Sequence, residues 1–248
     1  MLSHMELRTK VATCVRMMAM ERMIDFNGHV SVRVPAEERG TGPASDGGPS
    51  RFLINARYSS RVALTAKDVV MIDEDGHLVE GEAEPPSESP LHLAVYKARP
   101  DVGSVAHLHP YYATVVTIAG APFKPVYIVA SEFGPEGVPV FDNPGLIRKM
   151  EQGEAVARAL GPRQAVLLRA HGAVTVSTDV EGAFAVAVAL EENARTMLWA
   201  SSLGTPRPLS PEEMKAYGAP VSSRGTKYKM WDFYSEKARV SGWLNGLD

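Results

Sequence analysis

Short extended segments, joined in part by hairpin turns, limit the folds open to this chain more than any other feature. Val30, Val32 and Val34 alternate with polar residues, as in a strand with one buried face. A second strand is predicted over 52–55, antiparallel to the first, and the turn at 73–76 returns the chain as a hairpin. Because strict strand–helix–strand alternation is absent, the pattern predicts a mixed or antiparallel sheet layered with helices.

Helical and extended segments alternate along the rest of the chain. Helical spacing bounded by breakers predicts helices, and short apolar runs predict strands. The expected helices cover 6–25, 88–99, 111–119, 146–160, 179–203 and 227–234, and the further strands cover 69–72, 126–130, 165–168 and 173–177. The segment 36–50, rich in Gly, Pro and Ser, predicts a mobile loop.

Composition excludes several classes of partner and location. The 248 residues are 45% hydrophobic and 22% charged, which suits one large domain or two small ones. The net charge is −3 with scattered basic residues, which argues against nucleic acid or an anionic membrane as partner. No signal-like segment and no long apolar run occurs, so secretion and membrane spanning are disfavoured.

Cys14 is the only cysteine. An intrachain disulfide and a thiolate-rich metal site are therefore excluded, and any metal must have nitrogen and oxygen ligands. The cysteine usage fits a cytoplasmic location.

Two histidines one residue apart are the strongest functional signal. His107 and His109 lie on an extended segment, so their side chains project from one face of a strand, as they must to reach one metal ion. His171 follows the strand-like run 165–168 and precedes Gly172. Three imidazoles with an open position describe a catalytic metal site, although a histidine at a strand end commonly just hydrogen-bonds a neighbour.

The ordered motifs of the chain resemble the class II aldolase/adducin superfamily over about residues 7–203. Any one motif alone is weak evidence, whereas the four in that family's order are specific. They are Gly28-His29-Val30-Ser31-Val32-Arg33, Glu88 and His92 within Pro86-Ser87-Glu88-Ser89-Pro90-Leu91-His92, the block from Ala98-Arg99-Pro100-Asp101 to His107-Leu108-His109, and Arg169-Ala170-His171-Gly172-Ala173.

The resemblance implies a fold, an assembly and a metal site. The implied fold is α/β, a three-layer α/β/α arrangement around a mainly antiparallel sheet, as a single domain over 1–248 with a helical extension from about 205 to 248. The implied assembly is a homotetramer with sites between subunits. The implied site holds one divalent ion (Zn, Mn, Co or Fe) on His107, His109 and His171, and Glu88 either joins the metal or acts as the catalytic acid/base.

The loops that bind phosphate in sugar-phosphate members of the family differ here. His29, Arg57 and Arg61 replace small hydroxyl residues, and a serine pair has become Pro86-Ser87. Guanidinium groups suit planar carboxylates, so His29, Arg57, Arg61 and Ser87 are candidate substrate-binding residues. Each arginine has the simpler interpretation of a solvated loop charge, and His29 that of an exposed turn residue.

Two further side chains have a functional and a structural interpretation. His92 lies four residues after Glu88 on the same helix face, where it either orients Glu88, contacts the substrate or fills a polar position. Tyr127 lies near the position where aldolase members place a catalytic tyrosine from the adjacent subunit, and it is otherwise a core aromatic residue.

The helix at 227–234 either caps a neighbouring site with aromatic side chains or packs against the body of the protein.

These residues indicate cleavage next to a carbon that briefly carries negative charge, which a divalent ion would stabilise. The altered loops look more like those of the family's metal-dependent decarboxylases of hydroxylated aromatic acids of the phthalate or pyridine-dicarboxylate kind. This resemblance makes the leading hypothesis a lyase that decarboxylates a hydroxylated aromatic or related unsaturated carboxylic acid, as in aromatic compound catabolism. An aldolase acting on an unphosphorylated hydroxy-carbonyl substrate shares the same chemistry, and epimerase, dehydratase and iron-dependent oxygenase activities are smaller alternatives. A non-catalytic scaffold of the adducin type is the alternative from another class.

Overall fold

The computed structural model describes residues 3–35, 49–217, 221 and 223–247. Its helices are α1 (His4–Met20), α2 (Ser89–Ala98), α3 (Tyr111–Ile118), α4 (Met150–Leu160), α5 (Val180–Ser201), α6 (Pro211–Tyr217) and α7 (Arg224–Val240). Its strands are β1 (His29–Arg33), β2 (Arg51–Asn55), β3 (Val69–Asp73), β4 (Leu78–Glu80), β5 (Ser104–Leu108), β6 (Val140–Phe141), β7 (Ala165–Leu168) and β8 (Gly172–Ser177). Short 3₁₀ helices cover Ala66–Asp68 and Ile128–Phe133.

The eight strands form one sheet in the order β4-β3-β2-β1-β5-β8-β7-β6. All neighbours pair antiparallel except β6 and β7, which are parallel. The strand that carries His107, β5, lies between β1 and β8, with His29 opposite His107 in the register of β1 and β5. The central strands therefore place the candidate site inside the sheet and away from its edges.

Alternating side chains of each strand enter two separate cores. On β3, Val69 and Met71 join the core under α1, α3, α5 and α7, whereas Val70 and Ile72 join the core under α2 and α4. The strand β5 divides in the same way, with Ala106 facing the first core and Val105 the second. This period of two is the geometry of a strand with both faces covered. The expected three-layer α/β/α fold around a mainly antiparallel sheet is confirmed.

Several element predictions need correction. The first helix ends at Met20 and not near residue 25, because Arg22 adopts a left-handed conformation (φ 58°). The segment 126–130 is not a strand, because the backbone N–H groups of Val126 and Tyr127 donate to the side chain of Asn193, and a 3₁₀ helix follows. The helix expected from 146 begins at Met150.

Two elements were not anticipated, the two-residue strand β6 and the short helix α6. Most of the predicted loop 36–50 lies outside the described residues. Among the described residues, no helix combines the length and apolar character that a membrane crossing requires.

The C-terminal helix α7 packs on the layer formed by α1 and α5. Its Ala238 is buried in the same core, and Trp231 and Tyr234 contact Phe184 of α5 edge-on. Arg16 of α1 donates to the carbonyls of Trp243 and Asn245 beyond α7. The predicted helical extension therefore packs against the body of its own chain.

The helix α2, which follows Glu88 and carries His92, is held close to α4 by a glycine. A Cβ atom on Gly153 of α4 would lie 2.5 Å from the carbonyl oxygen of Pro90 and 2.9 Å from Cβ of Ala94. Only a residue without a side chain allows this approach.

We expect Gly153→Ala to separate α2 from α4 and to lower the free energy of unfolding by about 1–3 kcal/mol, as overpacking does. Urea denaturation measures the change. Gly225→Ala in α7 is the matched control, since nothing lies within 4 Å of the added Cβ. Equal stability of the two variants would contradict the proposed close contact.

Candidate metal centre and active site

Three imidazoles converge from β5 and from the turn between β7 and β8. His107 is in β5, His109 is the first residue after the end of β5, and His171 lies in the β7–β8 turn beside Gly172. Their ligand atoms lie within 4.8 Å of one another. The structure thus brings together the three histidines that the sequence predicts as metal ligands.

Hydrogen bonds fix the proton positions of two of these rings. The Nδ1 atom of His107 lies 3.1 Å from the carbonyl oxygen of Ala173, and Nδ1 of His109 lies 3.1 Å from a carboxylate oxygen of Asp25. Because both oxygens only accept, each Nδ1 carries the proton and donates it. Each Nε2 atom is then left with a free lone pair that faces the cluster formed by His107, His109 and His171.

The remaining ring nitrogens are buried and have no partner. Nε2 of His107 and Nε2 of His109 make no hydrogen bond among the described residues, and the contact of His171 with the backbone of Gly145 falls short of hydrogen-bond geometry. Burial lowers the pKa of His107 and of His171 below the usual value, which favours the neutral imidazole that binds metals. Unpartnered buried nitrogens are costly in a protein, and a divalent metal ion would satisfy Nε2 of His107, Nε2 of His109 and one nitrogen of His171. The residues present therefore fit a metal centre.

The turn that carries His171 has an unusual backbone. Ala170 adopts a left-handed conformation (φ 53°), and its N–H donates to the buried hydroxyl of Thr117 at 3.0 Å. Gly172 lies so close to β5 that a Cβ there would be 2.1 Å from the carbonyl oxygen of Leu108. Thr117 and Gly172 together fix the turn against β5, and so they position His171.

Glu88 faces the three histidines from the start of α2. Its oxygen Oε1 accepts a hydrogen bond from the N–H of Ile147 at 2.8 Å. Its carboxylate oxygens lie 3.7 Å from Nε2 of His107, 3.9 Å from Nε2 of His171 and 4.0 Å from Nε2 of His29. Only 7% of the residue is exposed. The geometry suits either of its predicted roles, a metal ligand or an acid/base.

His29 and His92 differ in their access to the cavity. His29 lies 4% exposed at the start of β1, and its Nδ1 is 2.7 Å from Nε2 of His92. His92 is 1% exposed, and its other nitrogen is 2.7 Å from the hydroxyl oxygen of Ser31. His92 therefore lies behind His29, where direct contact with a substrate would require His29 to move.

A pocket of about 460 Å³ opens beside His29 and Ser87. Three arginines line it, Arg57, Arg61 and Arg148, and its described lining contains no carboxylate. A cavity lined by charges of one sign concentrates ligands of the opposite sign. This cationic pocket thus favours an anionic group next to Glu88 and the histidines.

The two predicted arginines make different contacts. Arg61 is buried, and Nε, Nη1 and Nη2 donate to the carbonyl oxygens of Gly28, Ala56 and Arg57 respectively. It holds the loop together and contributes charge to the pocket. Arg57 is more exposed, lies 3.4 Å from Glu84 and stacks on the ring of Tyr58.

Tyr127 is not brought to the histidines of its own chain. It precedes the 3₁₀ helix Ile128–Phe133 and is 42% exposed. Within the described part of the chain, no hydrogen bond, ion pair or ring contact joins its side chain to Glu88 or to the three histidines. A role for Tyr127 at the site of an adjacent subunit stays a prediction.

Two residues of the candidate site, Asp25 and Arg148, were not predicted by any sequence pattern. Asp25 holds Nδ1 of His109, but the sequence suggested that it ended a helix. Arg148 lines the cationic pocket, but it lies in a segment that was predicted to be helical. Neither has a local signal, because the contacts join segments distant in the chain.

Comparisons with known proteins identify relatives of the chain. Residues 9–198 match the model of the class II aldolase and adducin N-terminal domain. A 3,4-dihydroxyphthalate decarboxylase of Terrabacter is 31% identical over 79% of this chain and 82% of its own length, and an L-fuculose phosphate aldolase of Escherichia coli is 30% identical over 84% and 89%. The crystal structure of an aldolase II superfamily protein from Pseudomonas syringae superposes with a TM-score of 0.80 at 25% identity, covering 98% of this chain and 96% of that one.

We expect Asp25→Asn to weaken zinc binding by at least about tenfold, because an amide cannot support the donating Nδ1 of His109 as a carboxylate does. The amide oxygen keeps an acceptor for the N–H of Asn27, so the turn is preserved. Competition with a chromophoric chelator measures the affinity. The exposed Asp232→Asn in α7 is the control, and equal zinc affinity in both variants would refute the role of Asp25.

Proposed function

We propose that this chain, which belongs to the class II aldolase and adducin family, is a metal-dependent decarboxylase of a hydroxylated aromatic or related unsaturated carboxylic acid. The observation that supports this most is the cationic pocket beside Glu88, with its three arginines and no carboxylate in its described lining. A planar carboxylate suits guanidinium donors better than it suits hydroxyl groups.

Family membership confirms the resemblance that the sequence motifs indicated. The relatives named above are a decarboxylase and an aldolase, and both are lyases. The chain is therefore a lyase, as predicted. The relatives act on a small carboxylate or a sugar phosphate, which agrees with a small-molecule substrate.

The proposed metal ligands are His107, His109 and His171. One ring nitrogen of each lies within 4.8 Å of the other two, and the choice among Zn, Mn, Co and Fe stays open because imidazole suits each of them. A bound divalent ion would supply Lewis-acid stabilisation of the negative charge that develops on the substrate.

The protein side chains have separate tasks in the proposed reaction. Arg57, Arg61 and Arg148 attract the carboxylate that the substrate retains. The bond between the substrate carbon and the second carboxylate breaks, carbon dioxide leaves, and the electron pair stays on that carbon. Glu88 then takes a proton from solvent, passes it to the carbon directly or through a water molecule, and is left as the carboxylate.

Glu88 suits this task because its two oxygens differ. Oε1 is held by the N–H of Ile147, whereas Oε2 makes no hydrogen bond with any described residue. Oε2 faces the space between His29 and His107. We assign proton transfer to Oε2 and orientation of the carboxyl group to Oε1.

The remaining expectations extend this proposal. Ser87 lines the cationic pocket and contacts the substrate with His29. Tyr127 reaches the site of an adjacent subunit in a homotetramer, where its half-exposed ring is covered. The enzyme works in the cytoplasm.

An aldolase is the competing enzyme, since a relative with 30% identity is an L-fuculose phosphate aldolase and a cationic pocket attracts phosphate as well as carboxylate. Release of an aldehyde and no carbon dioxide would establish it. A scaffold without catalysis is disfavoured by the unpartnered nitrogens of His107, His109 and His171. Absence of bound metal after reconstitution would support the scaffold.

We expect the zinc- or manganese-loaded protein to release carbon dioxide from a member of a panel of hydroxylated benzoates and phthalates that includes 3,4-dihydroxyphthalate. Glu88→Gln should lower kcat by at least about a hundredfold, since it removes the proton donor. A coupled assay for carbon dioxide measures the rates. Glu154→Gln on the surface of α4 is the control, and metal content is measured for both variants.

The decarboxylase proposal would be overturned if no member of the panel released carbon dioxide while hydroxy-carbonyl compounds were cleaved to aldehydes. Full activity of Glu88→Gln would instead overturn the assignment of Glu88.

We expect Arg148→Met to raise KM for the substrate about tenfold or more with a smaller effect on kcat, because a charge-assisted hydrogen bond contributes about 1.5–3 kcal/mol. Arg158→Met on the exposed face of α4 is the matched control. An unchanged KM for Arg148→Met would exclude the cationic pocket as the carboxylate site.

A further inference from the structure

A buried row of four polar side chains extends from the cavity into the protein. His29 Nδ1 lies 2.7 Å from His92 Nε2, His92 Nδ1 lies 2.7 Å from Ser31 Oγ, and Ser31 Oγ lies 2.8 Å from the hydroxyl oxygen of Tyr96. No member is more than 4% exposed. The reaction proposed above gives no task to the inner three.

The row follows from two simple spacings. His29 and Ser31 are two residues apart on β1, so they share the face that is turned to α2. His92 and Tyr96 are four residues apart on α2, so they share the face that is turned to β1. The antiparallel sheet and α2 then bring the two pairs into contact.

Each link in the row contains one hydrogen. Burial lowers the pKa of His92 to about 3, so its ring is neutral and carries one N–H. Burial raises the pKa of Tyr96, so its hydroxyl keeps its proton. A neutral imidazole donates at one nitrogen and accepts at the other. The single hydrogen between His29 and His92 therefore points either toward His29 or away from it, whereas the Ser31 hydroxyl can also donate to the carbonyl oxygen of Val105 at 3.5 Å.

The carboxylate of Glu88 decides between these two directions. Nε2 of His29 lies 4.0 Å from Oε2 of Glu88, and an ionised carboxylate only accepts. If the hydrogens point toward His29, Tyr96 donates to Ser31, Ser31 to His92, His92 to Nδ1 of His29, and the Nε2–H of His29 faces Glu88. In the opposite direction, the lone pair of Nε2 would face the negative carboxylate, an arrangement that would need a metal ion held between His29, Glu88 and His107.

We infer that Tyr96, Ser31 and His92 are positioning residues that fix His29 as the neutral tautomer with its proton on Nε2. His29 then presents a fixed, neutral hydrogen-bond donor at the junction of the cationic pocket and the histidine cluster. That His29 donates to a substrate oxygen rests on the function proposed above, whereas the assignment of the tautomer does not.

The position of His29 gives this donor a specific use. It lines the same pocket as Arg57, Arg61 and Arg148 and stands opposite His107 in the sheet. A hydroxyl or carboxylate oxygen between the pocket and the cluster can therefore accept from Nε2. A donor held by a chain of hydrogen bonds needs no reorganisation when the substrate binds.

Two-bond ¹H–¹⁵N correlation spectra of histidine-labelled, zinc-loaded protein test the tautomer directly, because protonated and bare ring nitrogens have different ¹⁵N shifts. The His29 signals are identified by their loss in His29→Asn. We expect His29 to carry its proton on Nε2 and His92 on Nε2 as well. A proton on Nδ1 of His29 would overturn the inference, with no need for any variant.

Two substitutions of His92 separate positioning from packing. His92→Leu fills space but donates nothing, so we expect a mixture of His29 tautomers and about tenfold lower kcat/KM. His92→Gln can donate from its amide to Nδ1 of His29, so we expect the Nε2–H tautomer and most of the activity to return. Melting temperature and zinc content are measured for both variants.

A His29 spectrum unchanged in His92→Leu would refute the role of His92. The spectra also distinguish this inference from the proposed function. If the tautomer is as expected but no carboxylate loses carbon dioxide, the proposed function fails alone. If decarboxylation occurs but His29 is protonated on Nδ1, the inference fails alone.

Discussion

The pairing of β5 with its two neighbours is the constraint on which the site depends. On one side, β1 places His29 opposite His107. On the other, β8 supplies the carbonyl oxygen of Ala173 that fixes the proton of the His107 ring. A slip by one residue would turn His107 into the opposite core. The apolar residues that set this register therefore also determine which imidazole nitrogen faces the cluster.

The alternation of side chains explains why much of the fold could be predicted from the sequence. Valine at alternate positions of β1 and the turn before β4 are local signals, and both elements form. The strand β1 is buried on both faces and not on one, because His29 and Ser31 are covered by α2. The segment 126–130 had the composition of a strand, but the side chain of Asn193 takes the backbone donors that a strand would use. That contact joins residues more than sixty positions apart, so no local pattern could reveal it.

The part of the site that could be predicted is the part whose chemistry depends on the spacing of residues along the chain. The interval between His107 and His109, with His171 and Glu88 in family order, indicated the cluster that the structure assembles. What Arg61 and His92 contact could not be deduced, because a guanidinium turned to carbonyls and one turned to a substrate have the same sequence signature. Asp25 and Arg148 could be assigned to the candidate site only from the fold, which brings together loops that are distant in the sequence.

Arg22 and Ala170 are the non-glycine residues with positive φ in the described part of the chain, and each lies close to the cluster. Arg22 ends α1 three residues before Asp25, and Ala170 directly precedes His171. A left-handed backbone at such residues costs roughly 1–2 kcal/mol, and strain of this kind gathers at functional sites. Selection for a more stable protein would favour glycine at both positions. The same changes would loosen the turns that position His109 and His171, so thermal stability and a precise arrangement of the histidines oppose each other.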